Sequence, residues 1–464
     1  MSTGLFDDTY RLRKQELLPQ LLGLLAPQYT EEELAALRID PVNPAVLAQR
    51  SGRGFVNRDI LETVLGNLLE CVAPGSHNID PLDRRRSLED AIGEMVDQVY
   101  AMVAQSLLAV DDGADLDDRA MGATFSLLAD LPQLKRRAWW NRFASLKDPA
   151  VWDAYLRHAC DVDDAGLMES EFAAEIDKAI DSRDPDPYRE YLRRFPYDSV
   201  FDYQMQLVAS TYPGWRVLFY HDIAHSLTQS DPVPGIDGLT RLPVPLIPRA
   251  IAELGGRYYQ ADIHPETRIG DANFLDHPHR GLTTGQTGII GSGCHLLPCT
   301  LGGLTRRLRR RHPRIGDHVF IGTDADVFGP VGIGDHSIIG PSVEIYGNVD
   351  IGPRCRINAS VVIGTVKSGD HRPGQIVLGE EVEVGDGTIV ENRLETDLLI
   401  PSRSQIPPRS LVVNDGCGAP KFVGQLRTGE RSTYKKPPTP SWSWGLFVPG
   451  GETALRRVNS IGHQ

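Results

Sequence analysis

The chain has 464 residues, enough for two or more domains, and its 41% hydrophobic and 24% charged content is that of an ordinary globular protein. A formal net charge of −14 argues against a nucleic-acid-binding surface, and no apolar run is long enough to span a membrane. Its six cysteines (Cys71, Cys160, Cys294, Cys299, Cys355 and Cys417) form no CxxC pair, so neither a zinc site nor a disulfide framework is expected, and a reducing cytoplasm is.

The amino-terminal stretch MSTGLFDDTYRLRK has no apolar core of the signal-peptide kind. Residues 1–230 read as an all-helical domain. ILETVLGNLLECV (60–72) and LEDAIGEMVDQVYAMVAQSLL (88–108) carry apolar residues at helical spacing, and DLPQLKRRAWWNRFASL and EYLRRF continue the pattern. Residues 231–261 read as a linker and a helix leading onward.

From there the pattern changes. Ile263, Ile269 and Leu275 lie six apart. Ile315, Ile321, Val327, Ile333, Ile339, Ile345, Ile351, Ile357 and Ile363 keep the same step, and Leu378, Val384 and Val390 resume it. A six-residue aliphatic period with glycine often following is a hexapeptide repeat. Each unit supplies one short strand and one turn, three units close a triangular coil, and one aliphatic side chain per unit points inward. A parallel β-helix is expected over residues 262–419. Three segments break the period: 276–289, 302–314 and about 364–377. Insertions into a solenoid tend to gather on a functional face. Residues 420–464, rich in Pro, Ser and Trp, read as an irregular tail.

The polar residues that interrupt the repeat carry the chemical signal. YPGWRVLFYHDIAH (212–225), DIHPETRIG (262–270), FLDH (274–277), TLGG (300–303) and RHPRIG (311–316) together resemble the serine O-acetyltransferases, a family of hexapeptide-repeat acyltransferases. The resemblance covers roughly residues 55–345. It implies an α+β multidomain chain: an all-α amino-terminal domain, then a left-handed parallel β-helix.

It also implies roles. His277 is the general base that takes the acceptor's hydroxyl proton, a task suited to a group whose pKa lies near working pH. Asp262 orients the far nitrogen of His277. Asp276 binds the acceptor's ammonium group, and Arg311 and His312 hold its carboxylate, where a planar guanidinium grips two oxygens. Gly302 and Gly303 let the main chain approach the thioester or pantetheine arm. Thr323 and Pro341 line the CoA groove. One more acid is expected from the helical domain. Asp148, Asp184 and Asp198 are candidates, and Asp198 is favoured by its spacing to Tyr212.

The implied co-substrate is acetyl-CoA, with no bound cofactor and no metal. The implied acceptor is L-serine or a related hydroxy amino acid, and the implied assembly a homotrimer or a dimer of trimers with its site between chains. Neither nucleic acid nor membrane is an expected partner. The HxH pair His277/His279 does not sit in a metal-site context. The arginines Arg306, Arg307, Arg309, Arg310 and Arg311 read either as a solvated loop or as a grip on the CoA 3′-phosphate or an acidic carrier protein.

The chain also departs from the family pattern. PHRG follows the Asp-His pair, Gln286 stands where a glutamate is usual, and an arginine-rich segment follows TLGG. The closing IPP appears only at Ile406-Pro407-Pro408. The carboxyl terminus reads IGHQ rather than ending in isoleucine, so a sulfhydrylase complex is not expected. Two other readings stay open: the same machinery on another hydroxy amino acid or a carrier-bound substrate, and a non-catalytic β-helical scaffold.

Overall fold

An inward aliphatic residue every six positions needs a strand, a corner and a stacked neighbour to bury it. The computed structural model shows that arrangement. It describes residues 6–29, 56–73, 88–110, 115–145, 208–233, 235–304, 310–365 and 373–425. Asp148, Asp184, Asp198, Cys160, the EYLRRF segment and Arg306, Arg307 and Arg309 lie outside the described residues.

Helices form where the periodicity places them: α1 (Asp8–Leu25), α2 (Arg58–Val72), α3 (Leu88–Val110), α4 (Leu116–Ala129), α5 (Leu131–Ala144), α6 (Pro213–Ser226) and α7 (Ile247–Tyr259). Side chains begin two of them. Asp7 accepts from the Tyr10 amide, and Asn57 accepts from the amides of Asp59 and Ile60, satisfying donors that the first turn leaves without partners. Pro213 opens α6, where a missing N–H does no harm. No helix among the described residues is long and apolar enough to cross a membrane.

The solenoid has three faces. The first carries parallel strands β1 (Ala261–Ile263), β4 (Leu282–Thr284), β7 (Cys299–Gly302), β10 (Ala325–Phe328), β13 (Glu344–Tyr346), β16 (Val362–Thr365), β19 (Ile389–Asn392) and β22 (Ser410–Asn414). The second carries β2 (Arg268–Ile269), β5 (Ile289–Ile290), β8 (Arg314–Ile315), β11 (Gly332–Ile333), β14 (Val349–Ile351), β17 (Ile376–Leu378) and β20 (Leu398–Ile400). The third carries β3 (Phe274–Leu275), β6 (His295–Leu296), β9 (Phe320–Ile321), β12 (Ile338–Ile339), β15 (Arg356–Ile357), β18 (Glu383–Val384) and β21 (Gln405–Ile406). The expected fold class is therefore the observed one: helices first, then a parallel β-helix. Register keeps like over like, with Val327 opposite Ile345 and Ile345 opposite Ile363. All three are fully buried. The apolar column runs from Ile263 to Val412.

The coil is regular only in its middle. Asp326 faces Glu344, and Glu344 faces Val362, eighteen positions on each time. Ala261 instead faces Leu282, twenty-one positions on. A 3₁₀ turn, Pro278–Arg280, enlarges that coil at the corner between the third and first faces. At the far end β23 (Pro420–Gln425) runs antiparallel to β22. The segment expected to be irregular thus begins with a strand, and its remainder lies outside the described residues.

The helical part is fastened to the first coil beside FLDH. Arg137 of α5 donates to Asp222 (2.7 Å), Asp271 (2.8 Å) and the Ile269 carbonyl (3.0 Å). The Asn273 amide donates to Asn141 Oδ1 at 3.0 Å. Gly214 of α6 lies so near β3 that a Cβ there would stand 1.9 Å from the Leu275 carbonyl oxygen, so only glycine fits.

Candidate active site

The expected residues separate onto two corners of the solenoid, at opposite ends of its first face. His277 and Asp276 follow β3, at the third-to-first corner. Arg311, His312 and Gly303 lie at the first-to-second corner. The strand between them, β4 (Leu282–Thr284), spans roughly 10 Å at a strand's usual rise.

At the first of these corners Asp276 is fixed by its backbone, whose N–H donates to the Leu296 carbonyl at 2.8 Å. Its carboxylate lies between two imidazoles. His277 Nε2 is 3.3 Å from Oδ1, and His295 Nε2 is 3.4 Å from Oδ2. His295 stands on β6 between Phe274 (ring centroids 4.7 Å apart) and Phe320 (5.1 Å). His277 itself adopts a left-handed backbone, φ 51°, as non-glycine residues at this solenoid's corners repeatedly do. Its side chain is 62% exposed. Its Nδ1 has no hydrogen-bond partner among the described residues.

The pairing implied between Asp262 and His277 is not made among the described residues. Asp262 faces outward on β1, and its carboxylate meets Arg249 Nη1 of α7 at 3.0 Å. The acid in contact with His277 is its own chain neighbour, Asp276. A guanidinium within reach of Asp262 offers it a fixed charge, which a neutral imidazole does not.

At the other corner, hydrogen bonds settle the tautomer of His312. Thr287 Oγ1 accepts from the amides of Arg311 and His312, both at 3.2 Å, so its own proton goes to His312 Nδ1 at 2.9 Å. The Thr287 amide also points at Nδ1, at 3.2 Å. Nδ1 is therefore an acceptor, and the proton sits on Nε2. Burial, with Arg311 and His264 nearby, pushes the His312 pKa down to about 4, so the ring is neutral. Its Nε2–H has no partner among the described residues and faces Gly285 and Gly303. A Cβ on Gly285 would stand 1.8 Å from Nε2. The corner thus presents a buried neutral donor beside a guanidinium.

Arg311 is held in turn. Its Nη2 donates to Gln286 Oε1 at 2.9 Å, and Gln286 Nε2 donates to Glu266 Oε2 at 2.7 Å. An amide can accept from an arginine and donate to a carboxylate at once, which a glutamate in that place could not do.

The remaining expected residues lie along the same two corners. Gly302 ends β7 under the ring of Phe328, its partner across the ladder. Thr323 and Pro341 sit at the third-to-first corner, in coils above that of His277. Their carbonyls accept from the amides of Ser342 (2.9 Å) and Ser360 (3.0 Å), and Pro341 has no N–H to offer. Arg310, next to Arg311, is 3.9 Å from Asp350. The buried thiols of Cys294 and Cys299 are pushed up to about 12 by burial, which makes them inert rather than nucleophilic.

Three residues outside the motifs also lie at these corners: His264 near His312, His295 on Asp276, and Glu266 on Gln286. Their signal is a stacking relation, visible only once the coil lengths are known.

Comparison with known proteins finds similarity along the solenoid. Residues 330–365 match the family model described as bacterial transferase hexapeptide (six repeats). A serine acetyltransferase from Synechococcus elongatus is 36% identical over 123 residues, 26% of this chain and 45% of that protein. One from Staphylococcus aureus is 32% identical over 127 residues, 27% of this chain and 54% of that protein. The chain thus spans about half the length of the curated relatives it matches. A solved Entamoeba histolytica serine acetyltransferase, isoform 3 in complex with cysteine, aligns over 85% of this chain and 92% of its own at 17% identity and a TM-score of 0.42. The chain is thus similar to hexapeptide-repeat transferases over part of its solenoid and to serine acetyltransferases over about a quarter of its length.

Proposed function

We propose that the chain transfers an acetyl group from acetyl-CoA to the hydroxyl of L-serine in a ternary complex. The observation that carries this reading is the pair of corners. One presents an imidazole with an open nitrogen against a fixed carboxylate. The other presents a guanidinium and a neutral N–H donor suited to a carboxylate.

His277 takes the serine hydroxyl proton as the oxygen attacks the thioester carbonyl. The tetrahedral intermediate collapses, the C–S bond breaks, and the proton passes from His277 to the departing thiolate. The products are O-acetylserine and free CoA. Asp276, in contact with the ring, stabilises the imidazolium and offers charge to the substrate ammonium. Asp262, the orienter that the resemblance implies, reaches that role only by exchanging Arg249 for His277. Arg311 and His312 bind the serine carboxylate. Gly302 and Gly303 admit the pantetheine arm, and Thr323 and Pro341 flank it. Asp198 supplies a second contact to the substrate.

One serine is too small to bridge the two corners of one chain. A neighbouring copy that brings its Arg311 corner to the His277 corner of the first completes the site, and a cyclic trimer does this three times over. A cytoplasmic setting suits the buried free thiols.

The test is thiol release from acetyl-CoA by the purified protein with L-serine, L-homoserine, L-threonine or no acceptor, beside His277→Asn. Serine-dependent release that the substitution abolishes is expected. A folded oligomer releasing no thiol with any acceptor would sink the reading. A second reading rests on Gln286: its bonds to Arg311 and Glu266 reshape the carboxylate corner, which favours another hydroxy amino acid or a carrier-bound substrate. L-Homoserine or L-threonine outpacing L-serine in the same assay would move the assignment there.

A further inference from the structure

A cavity of about 450 Å³ lies between the helical part and the first coil, and none of Asp276, His277, Arg311 and His312 lines it. That volume is in the range of small-molecule sites. Its polar wall carries Arg137, Arg241, Arg268, Asp130, Asp231 and His225. Most of this charge is already matched. Arg137 is engaged by Asp222 and Asp271. Arg241 is engaged by Asp231 at 2.7 Å and by Asp130. His225 donates from Nδ1 to the Pro265 carbonyl at 2.8 Å, and burial lowers its pKa, so it stays neutral.

Two groups are left over. Arg268, exposed on β2, makes no side-chain hydrogen bond or ion pair among the described residues. Asp231 is 55% exposed and meets Arg241 through one oxygen only. A wall with one unmatched guanidinium and one half-used carboxylate suits a molecule that carries both signs.

We propose that this cavity binds a small zwitterion, a free α-amino acid, with its carboxylate on Arg268 and its ammonium on Asp231. The site is distinct from the acceptor site, and the structure connects the two. His225 holds Pro265. The next residue, Glu266, holds Gln286, and Gln286 holds Arg311. An occupant that shifts this 265–268 corner shifts the proposed carboxylate grip, so cavity binding and acceptor affinity change together, each by the same factor. That coupling rests on the function proposed above. The binding site does not.

The experiment is isothermal titration calorimetry of the full chain with glycine, which has both charges and no hydroxyl to acylate. Acetate, methylamine and inorganic phosphate are the controls. Glycine should bind a site that survives R311A, one per chain, and more tightly there than any control. R268A should weaken it at least about tenfold, the scale of one charge-assisted bond, and R268K should recover part of that. R311A should leave it within about twofold. Arg268 is exposed, so its loss does not threaten folding. Absence of glycine binding, binding lost in R311A but kept in R268A, or phosphate binding as tightly as glycine would each overturn the site. For the coupling, glycine should shift the acceptor KM of the wild type by a different factor from that of R268A, where only competition at the acceptor site remains, and equal shifts would overturn it. If the protein transfers no acetyl group at all, the proposed function fails while the calorimetry still decides the cavity.

Discussion

The coils from Arg314 to Ile363 and those from Ala261 to Gly302 are built on one triangular plan, and they differ in what each corner carries. In the later coils every step is eighteen residues, and the inward Ile321, Val327, Ile339, Ile345, Ile357 and Ile363 are fully buried. In the earlier ones a 3₁₀ turn is inserted, and a buried Asp276 lies between two histidines. A neutral His312 fills the space that Gly285 and Gly303 leave open. Regularity belongs to the fold, and the departures from it gather the reactive side chains. The two kinds of coil should therefore fail in different ways when altered.

The sharpest contrast is at His277. His277→Asn keeps a residue that tolerates the left-handed corner, so the fold should persist while acetyl transfer falls by at least about a hundredfold. Steady-state thiol release beside an unchanged melting curve checks this. A small loss would move the general base elsewhere, and His295, which contacts the same Asp276, is the candidate.

Ile345→Ala probes the opposite case. It empties a place in the regular column and should destabilise the chain by about 2–5 kcal/mol, read by denaturant titration. The oligomer that still folds should keep its acceptor KM. A raised KM at intact stability would break the division between the two regions.

Arg311→Ala should raise the acceptor KM about tenfold with a smaller change in kcat, because one charge-assisted grip on the substrate is lost. An equal fall in kcat with KM unchanged would place Arg311 at the reacting carbonyl instead.

The smallest effect is a pH dependence. The pKa of His312 falls from 6.5 to about 4 on folding. Between those values the unfolded chain binds the proton more readily, so stability rises with pH through the window. The His312 contribution is complete above about 6.5 and lost as pH falls toward 4. His312→Gln should flatten the stability profile in that window, and an unchanged slope would mean that the imidazole is charged in the folded chain.

Much of this was legible in the chain. The six-residue step marks the inward aliphatic residues from Ile315 to Ile363, but not the second buried position of each unit, two residues earlier, held by Val319, Val331, Val343 and Val361 among others. The helices at 60–72 and 88–108 are equally plain. The Asp276-His277 and Arg311-His312 pairs show as polar breaks in an apolar period. Their separation onto two corners was not legible, because it depends on the length of each coil, and the 3₁₀ turn at Pro278 adds residues that no periodicity announces. The partner of Asp262 was hidden for the same reason: the resemblance implied contact with His277, and Arg249 reaches Asp262 from a helix that the repeat does not contain. The bond from Gln286 to Arg311 joins two insertions, and insertions have no register to read.

A stack of parallel strands has open edges at top and bottom, and an open edge invites another copy to continue the stack. Here α7 packs against β1 with Ile251 and Leu254 buried at the start, and at the other end β23 covers the edge of the first face by running backwards along β22. A strand of reversed direction does not present the hydrogen-bond pattern that the next parallel coil would need. On that face, end-to-end stacking of copies is discouraged by chain direction as well as by the net negative charge.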